Sequence, residues 1–205
     1  MIDSEFQNLL LSFSKADDKD ERKDIENRIW QNYGKDQTVV VVDMSGFSLL
    51  SQRYGIVHYL SMVSRMQITA EPIIENFGGT VIKFEADNCF ATFPEPLTAV
   101  RACISLNMAF DAANILTTED LDIRIACGID YGKILVINNN DFFGNAVNRA
   151  SKLGEDTAEP GEILITQDAM QLIPQEAGIK HTETVIDISG IQFNASLISY
   201  KHAAE

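Results

Sequence analysis

Thr38-Val39-Val40-Val41-Val42-Asp43-Met44-Ser45-Gly46-Phe47 is the stretch on which the fold turns. Four consecutive β-branched residues are the composition of a strand buried on both faces, so the structured unit is expected to begin near Lys35. Downstream, residues 44–77 read mostly as helix, with Leu49, Leu50, Val57, Leu60, Val63 and Met66 in helical register, an interruption near Gly55 and a kink at Pro72. Gly78 and Gly79 make a turn, and strands over 80–84 and 89–93 form a hairpin connected through Glu85, Ala86 and Asp87. Residues 97–116 read as helix, and 121–130 with 133–137 as a strand pair about Tyr131 and Gly132. Strand, helix, strand, strand, helix, strand is the split ferredoxin-like order. A helix after Asp141, a strand over 162–165, a short helix after Thr166 and strands over 180–188 and 195–200 follow. The fold class is therefore α+β: a βαββαβ core with a C-terminal βαββ addition.

Upstream of the Val run, Phe6, Leu9, Leu10 and Phe13 recur at helical spacing over residues 2–13. The charged stretch 15–28 leads into Ile25, Ile29, Trp30 and Tyr33, a second amphipathic helix that Gly34 stops. Residues 1–35 thus read as a helical extension on a domain of residues 36–205, and as a place where a regulatory partner could act. The chain has 205 residues, enough for one well-buried core, and 16 basic against 30 acidic residues give a net charge of −14. That balance excludes a partner held mainly through phosphate contacts, so no nucleic-acid role is expected. No apolar run approaches the ~20 residues of a membrane span, and Met1 to Glu5 lack the basic start of a secretory signal, which points to the cytoplasm. Cys89, Cys103 and Cys127 stand far apart in apolar contexts and read as core thiols. His58, His181 and His202 match no ligand spacing.

Asp43 ends the Val-rich strand, and Asp87 lies in the connection of the next hairpin. In a ferredoxin-like sheet the strands carrying them are neighbours, so the two carboxylates can converge on one edge. Such a pair suits Mg²⁺ or Mn²⁺, which use few protein oxygens and complete their shells with water and substrate phosphates. Strand-end Asp residues are also common turn formers, and on residue type alone both readings stand.

Three blocks resemble the class III nucleotidyl cyclases: Val41-Val42-Asp43-Met44-Ser45-Gly46-Phe47-Ser48, the run from Gly78-Gly79-Thr80 through Lys83 to Asp87, and Asp141-Phe142-Phe143-Gly144-Asn145-Ala146-Val147-Asn148-Arg149-Ala150-Ser151-Lys152. Ala158-Glu159-Pro160-Gly161-Glu162-Ile163 is similar to the segment that follows in that family. The resemblance runs from about residue 37 to 200 and implies ligands for two metal ions, Mg²⁺ or Mn²⁺, in Asp43, Asp87 and the main-chain carbonyl of Met44. It makes Lys83 and Asp141 the readers of the purine. A Lys ammonium donates to adenine N1 and a carboxylate accepts from the 6-amino group, so ATP is favoured over GTP. Asn148 is implied to orient the ribose and Lys152, where an Arg is usual, to neutralise the transferring phosphate without the two-pronged fork of a guanidinium. Asn148 and Lys152 are four apart and share a helix face.

This sequence departs from the family at Ala86, where Gly is usual, and at Asn138, Asn139 and Asn140, where an Arg often precedes the base-reading Asp. The family's late Lys has no match in Ile188-Ser189-Gly190-Ile191-Gln192, which leaves Lys133 and Lys152 as the nearby cations for a triphosphate. The expectation is an adenylate cyclase forming 3′,5′-cyclic AMP and pyrophosphate in a head-to-tail homodimer. The alternatives are a guanylate or other nucleotide cyclase, and a catalytically weak homologue serving as a nucleotide sensor or interaction module.

Overall fold

The computed structural model describes residues 3–188 and 191–200, with the backbone alone at residues 47–50, 188 and 191. Ile2, His202, Ser189, Gly190 and the expected register of the Leu49 and Leu50 side chains therefore lie outside the described residues. Helices α1 (Ser4–Lys15) and α2 (Lys19–Tyr33) come first. Asp3 caps α1 by accepting from the main-chain N–H groups of Glu5 and Phe6. The apolar stripes read from the sequence meet: Phe6, Leu9, Ile25 and Ile29 bury one another with Ile137 of the sheet.

Strand β1 (Gly34–Met44) follows α2 directly. Then come α3 (Phe47–Tyr54), α4 (Ile56–Asn76), the hairpin β2 (Thr80–Glu85) and β3 (Asn88–Phe93), α5 (Pro96–Asn114) and β4 (Ile125–Ile137). The tail adds β5 (Asp141–Phe143), α6 (Asn145–Glu155), β6 (Ile163–Thr166), α7 (Gln167–Met170), β7 (Lys180–Ile188) and β8 (Ile191–Ser199). The sheet runs β2-β3-β1-β4-β6-β8-β7, with β5 folded back on β4. Its first four strands have the ferredoxin-like order, and β6 joins parallel to β4.

The four valines explain why β1 is central. Val40 and Val42 point to the cluster of α4 and α5, Val39 and Val41 to that of α6, and all four are fully buried. The α6 face is packed unusually close: a Cβ at Gly128 would lie 2.0 Å from the Ala150 carbonyl oxygen, and one at Gly154 2.8 Å from that of Val41. Only glycines let the α6 backbone approach β1 and β4 so nearly.

One expectation is corrected. Residues 121–130 and 133–137 are not two strands turning at Tyr131 and Gly132; β4 is one strand of 13 residues, and Gly132 lies in register opposite Gln37 of β1. Gly132 admits Ala146 of α6 rather than making a bend. The turn comes later, at Asn138 (φ 50°) and Asn139 (φ 54°), closed by the Asn140 N–H donating to the Ile137 carbonyl at 2.9 Å. With Ile137 paired to Asp141 the connection has three residues, 138–140, and Asn tolerates the left-handed φ that two of them adopt. Asp141 consequently opens a short strand instead of leading straight into helix.

Candidate active site

β1 ends at Met44 and the β2–β3 connection lies beside it, because the Met44 N–H donates to the Asp87 carbonyl at 3.1 Å. This joins Asp43, Met44 and Asp87 at one end of the sheet. Ala86, in the same connection, has φ 53°, which explains the usual glycine there: the turn asks for a left-handed residue. Burial pushes the Asp43 carboxyl up to about 7, with the charges of Asp87 and Glu155 adding to it. Asp87 is raised by burial as well. Neither acid has an ion-pair partner among the described residues.

Half-buried carboxylates that repel each other and lack a countercharge fit a divalent cation, whose charge would offset both the burial and the repulsion. Asp43, Asp87 and the Met44 carbonyl are among the oxygens available to hold it. Among the described residues there is no cluster of three or more His, Cys, Asp or Glu side chains built as a protein-only metal cage. The donor set thus resembles that of Mg²⁺ sites, which leave several positions to water and phosphate.

Lys83 and Asp141, 58 positions apart in sequence, meet: Lys83 Nζ lies 3.2 Å from Asp141 Oδ1 and 3.1 Å from Glu85 Oε2. The fold produces this because β5 turns back along β4 and lays Phe142 edge-on against Phe90, over whose ring the Lys83 ammonium also sits at 5.3 Å. Burial works against that ammonium, but Glu85 and Asp141 outweigh it and raise its pKa.

Asn148 and Lys152 lie on α6 and wall an open groove of about 650 Å³ together with Glu155 and, from β8, Phe193. Lys152 is engaged by Asp156 one turn on, at 3.5 Å. Among the described residues no hydrogen bond or ion pair links Asn148 or Lys152 to Asp43 or Asp87. The seven positions therefore fall into three groups: the acids with Met44, the Lys83–Asp141 pair, and the α6 pair. Lys133, expected near a triphosphate, instead stacks its ammonium 5.0 Å over the Trp30 ring of α2.

Two features escaped the sequence reading. Glu155 joins the acidic end from the last turn of α6; burial raises its pKa first, a Ser151 hydrogen bond opposes this, and Asp156, Asp87 and Glu85 add repulsion. Its position three after Lys152 and seven after Asn148 was the available signal. The other is the pair of Asp130, fully buried on β4, with Arg149, whose Nε and Nη2 donate to it at 2.6 and 3.2 Å. Thr166 also donates to Asp130, and Arg149 reaches Asp168 at 3.2 Å. Nothing in the residue types announced this network, which ties α6 to β4, β6 and α7 beside Asn148.

The sequence profile of the adenylate and guanylate cyclase catalytic domain matches residues 31–195. "Putative adenylate cyclase 3" of Rhizobium meliloti is 30% identical over 128 residues, which is 62% of this chain and 22% of that protein. An uncharacterized protein of Mycobacterium tuberculosis is 27% identical over 139 residues, 68% of this chain and 35% of its own length. The chain thus spans about a fifth to a third of the curated relatives it matches. Among solved structures, the adenylyl cyclase CyaB from P. aeruginosa superposes with a TM-score of 0.72 at 22% identity, covering 82% of this chain and 96% of that one. An adenylate/guanylate cyclase/hydrolase from Silicibacter pomeroyi gives 0.69 at 23%, covering 82% and 98%. With the sheet order, the acids at the β1 and β2–β3 ends and a profile match over most of its length, the chain belongs to the adenylate and guanylate cyclase catalytic domain family.

Proposed function

We propose that this chain is the catalytic domain of an adenylate cyclase, residues 36–205, carrying a helical extension over 1–35. The observation that carries the choice of ATP is the Lys83–Asp141 pair, a donor and an acceptor held 3.2 Å apart. Adenine presents an acceptor at N1 beside a donor at its 6-amino group and can satisfy both, whereas guanine reverses the pattern. The two side chains are 31% and 41% exposed, so the pair is worth only ~0–1 kcal/mol and opens readily to admit a base.

The reaction passes the proton of the ribose 3′ hydroxyl to solvent water, forms the bond from that oxygen to the α-phosphorus and breaks the bond to the departing pyrophosphate. Asp43, Asp87 and the Met44 carbonyl would hold the cations. When bound, two Mg²⁺ or Mn²⁺ ions supply charge that stabilises the 3′ alkoxide and the phosphate oxygens. Asn148 orients the ribose for in-line attack, and Lys152, released from Asp156, neutralises the phosphate that changes hands. The reading includes a head-to-tail homodimer, as the resemblance to class III cyclases implies, and among the described residues no hydrogen bond or ion pair ties Asn148 or Lys152 to Asp43 or Asp87 within one chain. Each site would then take Asp43, Met44 and Asp87 from one protomer and Lys83, Asp141, Asn148 and Lys152 from its partner.

The test is to incubate the purified chain with each nucleoside triphosphate and Mn²⁺, and to look for a cyclic product and pyrophosphate, with Asp43→Ala and Asp87→Ala as controls. Cyclic AMP in excess of the other products, lost in both variants, is the expected result. No cyclic product from any triphosphate would favour the second reading, a catalytically weak nucleotide sensor, which is supported by the carboxylate or ring already occupying each of Lys83, Lys133 and Lys152.

A further inference from the structure

At the acidic end one side chain has no assignment. Asn88 opens β3, next in sequence to Asp87 and in register opposite Asp43. Because the Met44 N–H bonds to the Asp87 carbonyl, residues 44 and 87 form the hydrogen-bonded pair. The adjacent pair, Asp43 and Asn88, is then the non-hydrogen-bonded kind, in which side chains lie closest, with Cβ atoms ~4.5–5.5 Å apart. Both point to the same face. Val39 and Val41, which alternate with Asp43, and Phe90, which alternates with Asn88, belong to the α6 cluster, while their neighbours Val42 and Cys89 belong to the opposite one.

The Asn88 Oδ1 atom is buried, and among the described residues no donor meets it. Such an oxygen is costly unless something meets it. An uncharged amide oxygen is also a hard donor of the type that serves Mg²⁺ and Mn²⁺.

We infer that Asn88 supplies a further oxygen to the cation held by Asp43 and Asp87, through its side-chain carbonyl or a water bound to it. The inference rests on the metal reading above and adds to it a residue of this chain. It accounts for an amide whose oxygen no protein group satisfies, set where two acids lack a countercharge.

The experiment measures Mn²⁺ alone, titrated into the metal-free full chain and followed by the electron paramagnetic resonance signal of free Mn²⁺, with thermal unfolding of the same samples. Wild type, Asp43→Ala, Asn88→Ala and Asn88→Asp are compared. Asp43→Ala should lose the site. Asn88→Ala should weaken Mn²⁺ binding by roughly three- to tenfold, as expected for one lost oxygen of several, without lowering the Tm of the metal-free protein. Asn88→Asp, close to isosteric, should bind Mn²⁺ more tightly than wild type. Mn²⁺ affinity unchanged in Asn88→Ala, or unchanged or weaker in Asn88→Asp, overturns the role of Asn88 and leaves the two acids standing. A metal-free Tm that falls in Asn88→Ala, with Asn88→Asp gaining no affinity, makes the residue structural and also overturns it. Absence of Mn²⁺ binding in wild type overturns the metal reading and this inference with it.

Discussion

Replacing Arg149 by Met should destabilise the domain far more than a half-exposed arginine ordinarily would. Asp130 is fully buried, and Arg149 meets it with two nitrogens, at 2.6 and 3.2 Å. Methionine keeps much of the aliphatic stem but leaves the carboxylate with only the Thr166 hydroxyl and the main-chain N–H of Tyr131. Removing one partner of a buried ion pair costs ~3–5 kcal/mol, which for a domain of this size is a fall in Tm of about 6–20 °C. The pH dependence follows from Asp130. Its pKa is already raised by burial, against the lowering by Thr166 and Arg149. A carboxyl whose folded pKa lies above its unfolded value, ~3.9, costs nothing below that value and costs progressively more as pH rises towards the folded one. Without Arg149 the folded pKa climbs further, so the deficit of the variant should be small near pH 4 and largest at pH 8. Adding Asp130→Asn removes the stranded charge and should recover most of the loss. Thermal unfolding by circular dichroism at both pH values checks this. An Arg149→Met protein as stable as wild type at pH 8, or a double variant no better than the single one, would refute the argument that the pair is a buried-charge problem.

Three further outcomes are expected. Lys83→Glu with Asp141→Cys exchanges donor and acceptor at the purine edge, and one misplaced hydrogen bond of ~1–3 kcal/mol should shift the ATP to GTP ratio of kcat/KM about ten- to hundredfold; an unmoved ratio removes both residues from base reading. Since the Asp43 carboxyl titrates at about 7, a cation must displace its proton, and apparent Mn²⁺ affinity should rise about tenfold per pH unit below neutrality and flatten above pH 8; a flat profile from pH 5 to 8 would contradict the ligand role. Mixing inactive Asp43→Ala and Asn148→Ala chains should restore roughly a quarter of the wild-type rate per chain, because each mixed dimer keeps one intact site; mixed dimers seen by mass spectrometry without activity would place the whole site in one chain.

How much was legible follows from the range of the interactions. β1 announced itself because four β-branched residues have few other uses, and once it was central, the meeting of Asp43 with Asp87 followed from topology. Tyr131-Gly132 makes no turn because Tyr-Gly is a turn signal only where the chain is free to bend, and here β1 pairs straight through it. The hairpin falls instead on three asparagines, Asn138, Asn139 and Asn140, two of which take left-handed φ. Asp130 with Arg149 needed the parallel β4–β6 pairing that delivers Thr166, and Asn88 needed a register exact to one residue. Neither is a local property of the chain.

The distribution of cations ties these observations to substrate binding. In the single chain Lys83 is held by Glu85 and Asp141, Lys152 by Asp156, and Lys133 by the Trp30 ring. These contacts are at least partly exposed and individually worth little, so they open under the pull of a triphosphate, but each opening subtracts from the affinity gained. Meanwhile Asp43, Asp87, Glu155 and Glu85 concentrate negative charge where the phosphates must arrive, on a chain whose net charge is −14. On the proposed site, bare nucleotide would be repelled from the acidic end, and the electrostatics favour its arrival together with divalent cations. If Asp43, Asp87 and Asn88 hold the cations as proposed, they should govern how tightly nucleotide binds as much as Lys83 and Asp141 do, and the KM for ATP should track the affinity for metal.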